Sequence, residues 1–353
     1  MLGDDCVDNS VLVIGGGVAG MRAALDLAEM GHRVHLVERE SRLGGRLRDL
    51  NILSPSMTSA RNLLSSMVSE VREHPLVEVH LDSNIVSVDR TDSGFAAEIA
   101  SRNGAGAVRV NAAGVILATG LEPVDVSIIP EFGYRRYKDV VTSLELEAML
   151  AGGDGLHRPS DGGPVKTVVF VQCVGSRVEK RGVPYCSAVC CTEAIKNSIV
   201  LKERAPGTRV YILYIDIRVT GRSGEDLYRK ARKLGVKFIR GQPSLVMKRG
   251  EQERVLVCGE NTLQRELYEI PADLVVLSAG LRMPAENADL LRSLGVRQAP
   301  DGLPSGKADA LPVESGCSMV LMAGCVEGPK DVRDSVTQGS AAASRMAALL
   351  RKA

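Results

Sequence analysis

Four of the eight cysteines, Cys173, Cys186, Cys190 and Cys191, fall within nineteen residues in the pattern C-x12-C-x3-C-C. Thiolates so close together are metal ligands by type, and a set of four suits an iron–sulfur cluster. A structural zinc ion takes the same ligands, but its paired C-x2-C knuckles are missing. A vicinal Cys190–Cys191 disulfide is a strained alternative, and plain buried thiols are a fourth. The ferredoxin spacing C-x2-C-x2-C-x3-C-P is also missing. The cluster is the reading this spacing favours.

Elements must bring these thiols together. Val168–Val171 reads as a buried strand that delivers Cys173 to its end, and a glycine-rich loop follows. Ser187 to about Lys202 reads as a helix with Ala188, Ala194, Ile195, Ile199 and Val200 on its apolar face. Cys186 and Cys190, four apart, would share a face at its first turn, where free N–H groups favour anionic ligands. Arg177, Lys180 and Arg181 could offset the same charge.

A second cofactor is written in the first fifty residues. Ser10–Ile14 is a short apolar strand, and Gly15–Gly20 after it fits G-x-G-x-x-G. Met21–Met30 has helical composition, Gly31 ends it, and Arg33–Val37 returns as a strand reaching Glu38. Within such a βαβ unit Gly15 makes the tight turn, Gly17 admits a pyrophosphate and Gly20, next to Ala19, lets helix and strand pack. Glu38 would accept from a ribose hydroxyl, with Arg39 beside it.

Later segments favour FAD over NAD. Leu43-Gly44-Gly45-Arg46 resembles the flavin-side segment of two-dinucleotide flavoproteins, as does the strand Val115–Leu117 with Ala118-Thr119-Gly120. A near copy recurs at Val275–Gly280. Two such strands mark where a chain leaves and re-enters a flavin domain. The expected fold is therefore α/β and thioredoxin-reductase-like, an FAD Rossmann domain (1–120 and 282–353) interrupted by a second Rossmann-like domain (121–281). Within the insert, 166–172 and 209–215 read as parallel strands around the cysteine helix. Cys173-Val174-Gly175-Ser176 occupies the turn where NAD(P)H-dependent relatives carry their second glycine fingerprint, so little or no NAD(P)H use is expected. Asp216 reads as a loop residue rather than a ribose ligand. At the C-terminus Val320–Gly324 reads as a strand, with Cys325 where relatives place an aspartate against the ribityl chain. Lys330 and Gln338 could face the flavin. Asp334 to about Lys352 reads as a helix whose small residues would let it approach the flavin, or simply pack.

From Val11 to Ala348 the order of motifs resembles the flavin-carrying A subunit of heterodisulfide reductase. The resemblance rests on Gln172–Arg177, Lys180-Arg181-Gly182, Pro184–Ser187, Cys190-Cys191 and Gly328–Asp331. It implies FAD, a [4Fe-4S] cluster on Cys173, Cys186, Cys190 and Cys191, and electron transfer within a larger complex. The implied partners are B- and C-type (HdrB-like and HdrC-like) subunits. Long members carry extra cysteines after the Gly-Gly segment and ferredoxin-type inserts; here Leu53–Thr58 has no cysteine and the inserts are missing. A compact member resembles instead the complexes of bacterial sulfur oxidation, where lipoate-binding proteins are further partners. A homodimer is expected by analogy with related flavoproteins.

Composition fits this architecture. The 353 residues are 44% hydrophobic and 25% charged with a formal charge of +1, which with no basic run or aromatic platform argues against nucleic acid. No eighteen-residue apolar stretch suggests a membrane span, the acidic start Met1–Asp5 is unlike a signal peptide, and clustered thiols suggest the cytoplasm. The five histidines, His32, His35, His74, His80 and His157, show no metal spacing, and no catalytic set emerges. Cys6, Cys258 and Cys317 read as incidental, and Tyr134–Tyr137 as a solvated loop.

Overall fold

A computed structural model describes residues 10–104, 106–153, 155–250, 253–306 and 311–352. Cys6 and the acidic start lie outside them. The helices are α1 (Val18–Glu29), α2 (Ala60–Glu73), α3 (Ser143–Ala151), α4 (Cys190–Arg204), α5 (Gly221–Lys233), α6 (Asn287–Ser293) and α7 (Val332–Leu350). The chain folds as two compact units, one of residues 1–48, 60–122 and 283–353, the other of 49–59 and 123–282.

The first unit is built on a parallel sheet ordered Val320–Met322, Gly114–Leu117, Val11–Ile14, Val34–Val37, Val77–His80. Its central strands are buried on both faces, which is why they read as unbroken apolar runs rather than alternating ones. Val11, Val13, Leu36 and Ile116 meet α1, α2 and α7 on one face. Leu12, Ile14, Val115 and Leu117 meet Val88, Phe95, Ala97 and Ile99 on the other. The latter belong to an antiparallel sheet of Ser83–Thr91, Gly94–Ser101 and Ala107–Ala112.

The second unit repeats the plan. Its parallel sheet is ordered Lys237–Arg240, Arg209–Tyr214, Thr167–Val174, Leu274–Ala279, Val140–Thr142. Val168, Phe170 and Val276 pack on the helical side, and Val169, Val171 and Val275 on a three-stranded antiparallel sheet. The two near-copy strands take equivalent places, each beside its unit's first strand. This is the α/β two-Rossmann architecture expected from the sequence.

Residues 49–59 depart from that expectation by folding with the second unit. The reason is a buried ion network on α4. Lys196, fully buried, donates to the Ile52 carbonyl at 2.9 Å, pairs with Glu193 at 2.8 Å and bonds the carboxylate of Glu147. Glu147 in turn accepts from the Asn51 N–H at 2.9 Å, and Ser54 bonds Glu193. Ile52 and Met57 add apolar contact to the same core.

Candidate functional site

The cysteine loop hangs between the end of the Thr167–Val174 strand and α4. The helix starts at Cys190, three residues later than expected, with Val189 as an N-cap lacking a side-chain bond. Cys186 is therefore a loop residue, not a helical neighbour of Cys190, and its sulfur accepts from the Ala188 N–H at 3.4 Å. The helix cannot start earlier because Ala188 is held at φ +56°, a left-handed value incompatible with a helical turn. Cys173 (φ +60°) and Arg177 (φ +62°) are left-handed too. Such strain gathers where a loop is shaped for a purpose.

Glycine backbones set that shape. A Cβ on Gly182 would lie 2.1 Å from the Gly175 carbonyl oxygen, and one on Gly280 2.5 Å from it. The Val183 N–H donates to that same oxygen at 3.0 Å. Arg177 reaches out of the loop to Asp216 at 3.0 Å, so Asp216 is a partner of the loop rather than a ribose ligand. Arg181 pairs with Glu131 at 2.7 Å instead of facing the thiols, and Lys180 is exposed.

Cys173, Cys190 and Cys191 are buried and Cys186 is half-buried. A hydrogen bond from Cys190 pulls the Cys173 thiol down to about 6 against the effect of burial, and Arg177 helps. Cys190, which supplies the hydrogen and is itself buried, is pushed up. Cys191 is lowered, again first by its bond with Cys190. Among the described residues no three of these sulfurs lie within 4.8 Å of one another. A single zinc ion with bonds of about 2.3 Å would draw its sulfurs to roughly 3.8 Å apart, so the loop is not a closed one-ion site and the four thiols are not gathered into a ligand cage. The surroundings nevertheless suit a larger sulfur-rich group. Both amide atoms of Gln172, the hydroxyls of Ser176 and Ser187 and Nη1 of Arg177 are buried without hydrogen-bond partners. Buried polar groups are ordinarily bonded, and all of these but the Gln172 oxygen would offer donors to cluster sulfurs.

In the other unit, the glycine turn takes the shape that dinucleotide binding needs. Gly15 has φ +111°, and a Cβ on Gly20 would lie 1.8 Å from the Gly15 carbonyl oxygen. Space beside Gly17 and Gly120 is open. Glu38, 6% exposed, accepts from the Gly16 and Glu40 N–H groups at 2.8 and 2.9 Å, which fixes its carboxylate at the strand end. Gly44 donates to the Gly16 carbonyl at 2.8 Å, bringing the Gly44-Gly45 segment against the first turn. Thr119 Oγ1 accepts from Asn287 at 3.0 Å, and the Ala118 N–H donates to Ile14 at 2.8 Å. Arg39 pairs with Glu286, while Arg46 is exposed.

Near the C-terminus two expectations change. Lys330 spends its ammonium on the Gly324 and Gly328 carbonyls and Glu327, each at 2.9 Å, so it holds its own loop together. The small residues of α7 serve packing: a Cβ on Gly339 would lie 2.5 Å from the Ala19 carbonyl oxygen, and Ala342 and Ala343 are in the core. Gly324, at φ +71°, comes close to Ala19 as well. Cys325 donates to the Lys330 carbonyl at 3.3 Å. Gln338 bonds the Pro312 carbonyl at 3.3 Å, leaving its own buried oxygen unbonded. Tyr134 and Tyr137 pack on the second unit's core rather than standing in solvent.

One group escapes sequence reasoning. His35, Glu78 and His80 come from adjacent strands, and their ligand atoms lie within 4.8 Å of one another. Only the parallel register of those strands reveals it.

Comparison with known proteins agrees with this architecture. Residues 9–153 match the family described as pyridine nucleotide-disulphide oxidoreductase. Thioredoxin reductase from T. acidophilum superposes with a TM-score of 0.66 over 96% of this chain and 97% of its own, at 17% identity. The Lactococcus lactis enzyme does so with 0.66 over 98% and 100%, also at 17%. FAD is the cofactor this flavoprotein fold supports. The iron-sulfur A subunit of CoB--CoM heterodisulfide reductase from Methanocaldococcus jannaschii is 36% identical over 96% of this chain and 64% of its own length. The corresponding A subunit of the ferredoxin/F(420)H(2)-dependent CoB-CoM heterodisulfide reductase from Methanosarcina acetivorans is 33% identical over 97% and 53%. The first match runs over 418 positions against 353 residues, so that relative carries insertions this chain lacks. Over nearly all of its length, and between about half and two thirds of theirs, the chain is similar to heterodisulfide reductase A subunits, built on an oxidoreductase flavoprotein fold.

Proposed function

We propose that this chain carries FAD and a [4Fe-4S] cluster and transfers electrons within a heterodisulfide-reductase-like complex. On this reading it works in cytoplasmic sulfur or thiol oxidation, beside B- and C-type subunits and a lipoate-binding protein, and forms a homodimer. Among the described residues no helix is long and apolar enough to cross a membrane. The observation that carries the reading is the cysteine loop, with four thiols, a Cys173 thiol held low and unbonded buried donors at Gln172, Ser176 and Ser187.

FAD would lie along the glycine turn at Gly15, Gly17 and Gly20, with Glu38 toward the ribose and Gly45, Arg46, Ala118, Thr119, Gly120, Gly324, Cys325 and Gln338 around it. When bound, a flavin joins two-electron chemistry to a one-electron carrier. The chain's own share is positioning. Glu38 is fixed by two backbone N–H groups, the α4 N-terminus places Cys190 and Cys191, and Arg177 and the loop hydroxyls offer donors to sulfur.

The test is the iron, zinc, acid-labile sulfide and FAD content of anaerobically purified protein. About four irons and four sulfides per FAD are expected. Replacing any one of Cys173, Cys186, Cys190 or Cys191 by Ser should deplete iron and leave FAD. Flavin without iron, or with zinc in its place, would refute the cluster and leave a simple flavin oxidoreductase.

A further inference from the structure

We propose that His35, Glu78 and His80 form a site for a borderline divalent metal ion of the zinc type, separate from the cysteine loop. Parallel pairing sets His35 opposite Glu78 and Val37 opposite His80, so all three side chains rise from one face of the sheet at its edge strand. His35 Nδ1 and His80 Nε2 are 3.3 Å apart. The two oxygens of Glu78 divide between them, Oε2 lying 3.3 Å from His35 Nδ1 and Oε1 3.6 Å from His80 Nε2. Bonds of about 2.0–2.1 Å to a tetrahedral ion put ligand atoms roughly 3.3–3.4 Å apart. The two imidazole nitrogens already have that spacing, and a Glu78 oxygen lies within 4.8 Å of both.

Donor chemistry narrows the ion. Two imidazoles and a carboxylate suit zinc and its first-row neighbours rather than magnesium or calcium, which take oxygen. The imidazoles are mostly covered, with side chains 17% and 12% exposed, while Glu78 is 64% exposed and leaves a way in from solvent. A fourth position then remains for water or an outside ligand. The ion would tie the edge strand to the strand that ends at Glu38.

The experiment uses full-length holoprotein stripped of loosely held metal by a chelator. Zn2+ is titrated by calorimetry, and one equivalent of Cu2+ is examined by electron paramagnetic resonance. Expected are one Zn2+ per chain and a copper spectrum with couplings from two imidazole nitrogens. Glu78→Gln, at an exposed position, should weaken zinc at least about tenfold. The His35→Ala/His80→Ala double variant should lose it while keeping FAD, and His32→Ala should bind normally. If the double variant fails to fold, Glu78→Gln and the copper spectrum decide alone. No Zn2+ uptake by the wild type would overturn the proposal. So would uptake that survives Glu78→Gln unchanged but disappears with Cys173→Ser.

Discussion

Replacing Lys196 by Met tests whether the ion network on α4 anchors residues 49–59. Methionine is unbranched like lysine, stops one atom short of the ammonium and fills nearly the same buried space, so packing changes little. What is lost is the ammonium between Glu147, 2% exposed, and Glu193, together with its bond to the Ile52 carbonyl. Glu147 keeps one donor, the Asn51 N–H. A carboxylate stranded in this way costs about 3–5 kcal/mol. The loss should therefore be about 3–5 kcal/mol at pH 7, the bare Ile52 carbonyl included. Burial pulls the Lys196 pKa down, but Glu193 and Glu147 more than restore it, and the net shift is upward. A raised lysine stabilises fully below its unfolded value of about 10.4 and loses that contribution as pH climbs through the folded value. The lysine's share of the network is thus in place at pH 7. The chain has no tryptophan, so urea unfolding is followed by far-ultraviolet circular dichroism at pH 7. A loss under about 1 kcal/mol at pH 7 would refute the reasoning. Adding Glu147→Leu to Lys196→Met should recover most of the stability, since a buried pair can be exchanged for apolar residues at little cost.

Other outcomes follow from single contacts. Arg177→Ala should raise the midpoint of thiolate absorbance in cluster-free protein above the value near 6 set chiefly by Cys190, because a cation that supports the Cys173 anion is gone. The depressed Cys173 thiol also adds stability above the ordinary thiol range that fades as pH falls through about 6, and Arg177→Ala should narrow that window when unfolding is measured from pH 5 to 9. Gly20→Ala places a methyl 1.8 Å from the Gly15 carbonyl, so α1 must shift, and purified protein should contain less than half the wild-type FAD by absorbance. Lys330→Met should release the loop it ties and weaken flavin retention only modestly, by less than about tenfold on dilution, since it acts on carbonyls of its own loop.

What is legible in the sequence is whatever local pattern decides. Val11–Ile14 and Val168–Val171 are apolar throughout because both faces are covered, and the glycines at 15 and 20 have local steric causes. The likeness of Val115–Gly120 to Val275–Gly280 is enough to reveal the repeated plan. Expectation and structure part where distant residues decide. Nothing near Leu53–Thr58 announces that Lys196, more than a hundred residues on, will hold it to the second unit. The late start of α4 depends on the left-handed Ala188, which composition favours as helix. Lys330 after Gly-Pro reads as a residue that could face the flavin, whereas its own loop folds back on it. The His35, Glu78 and His80 group depends on pairing register between strands whose histidines are separated by 45 positions.

The meeting of Gly175, Gly182 and Gly280 bears on how a cluster would be lost and replaced. These contacts are backbone against backbone, and the bond from Val183 to Gly175 belongs to the chain itself. These contacts need no atom of a bound group. This differs from a zinc finger, whose fold collapses without its ion. Damage by oxygen would then be a local injury to a standing frame, and delivery of a fresh cluster could follow synthesis, or even assembly with partners, without the protein being refolded.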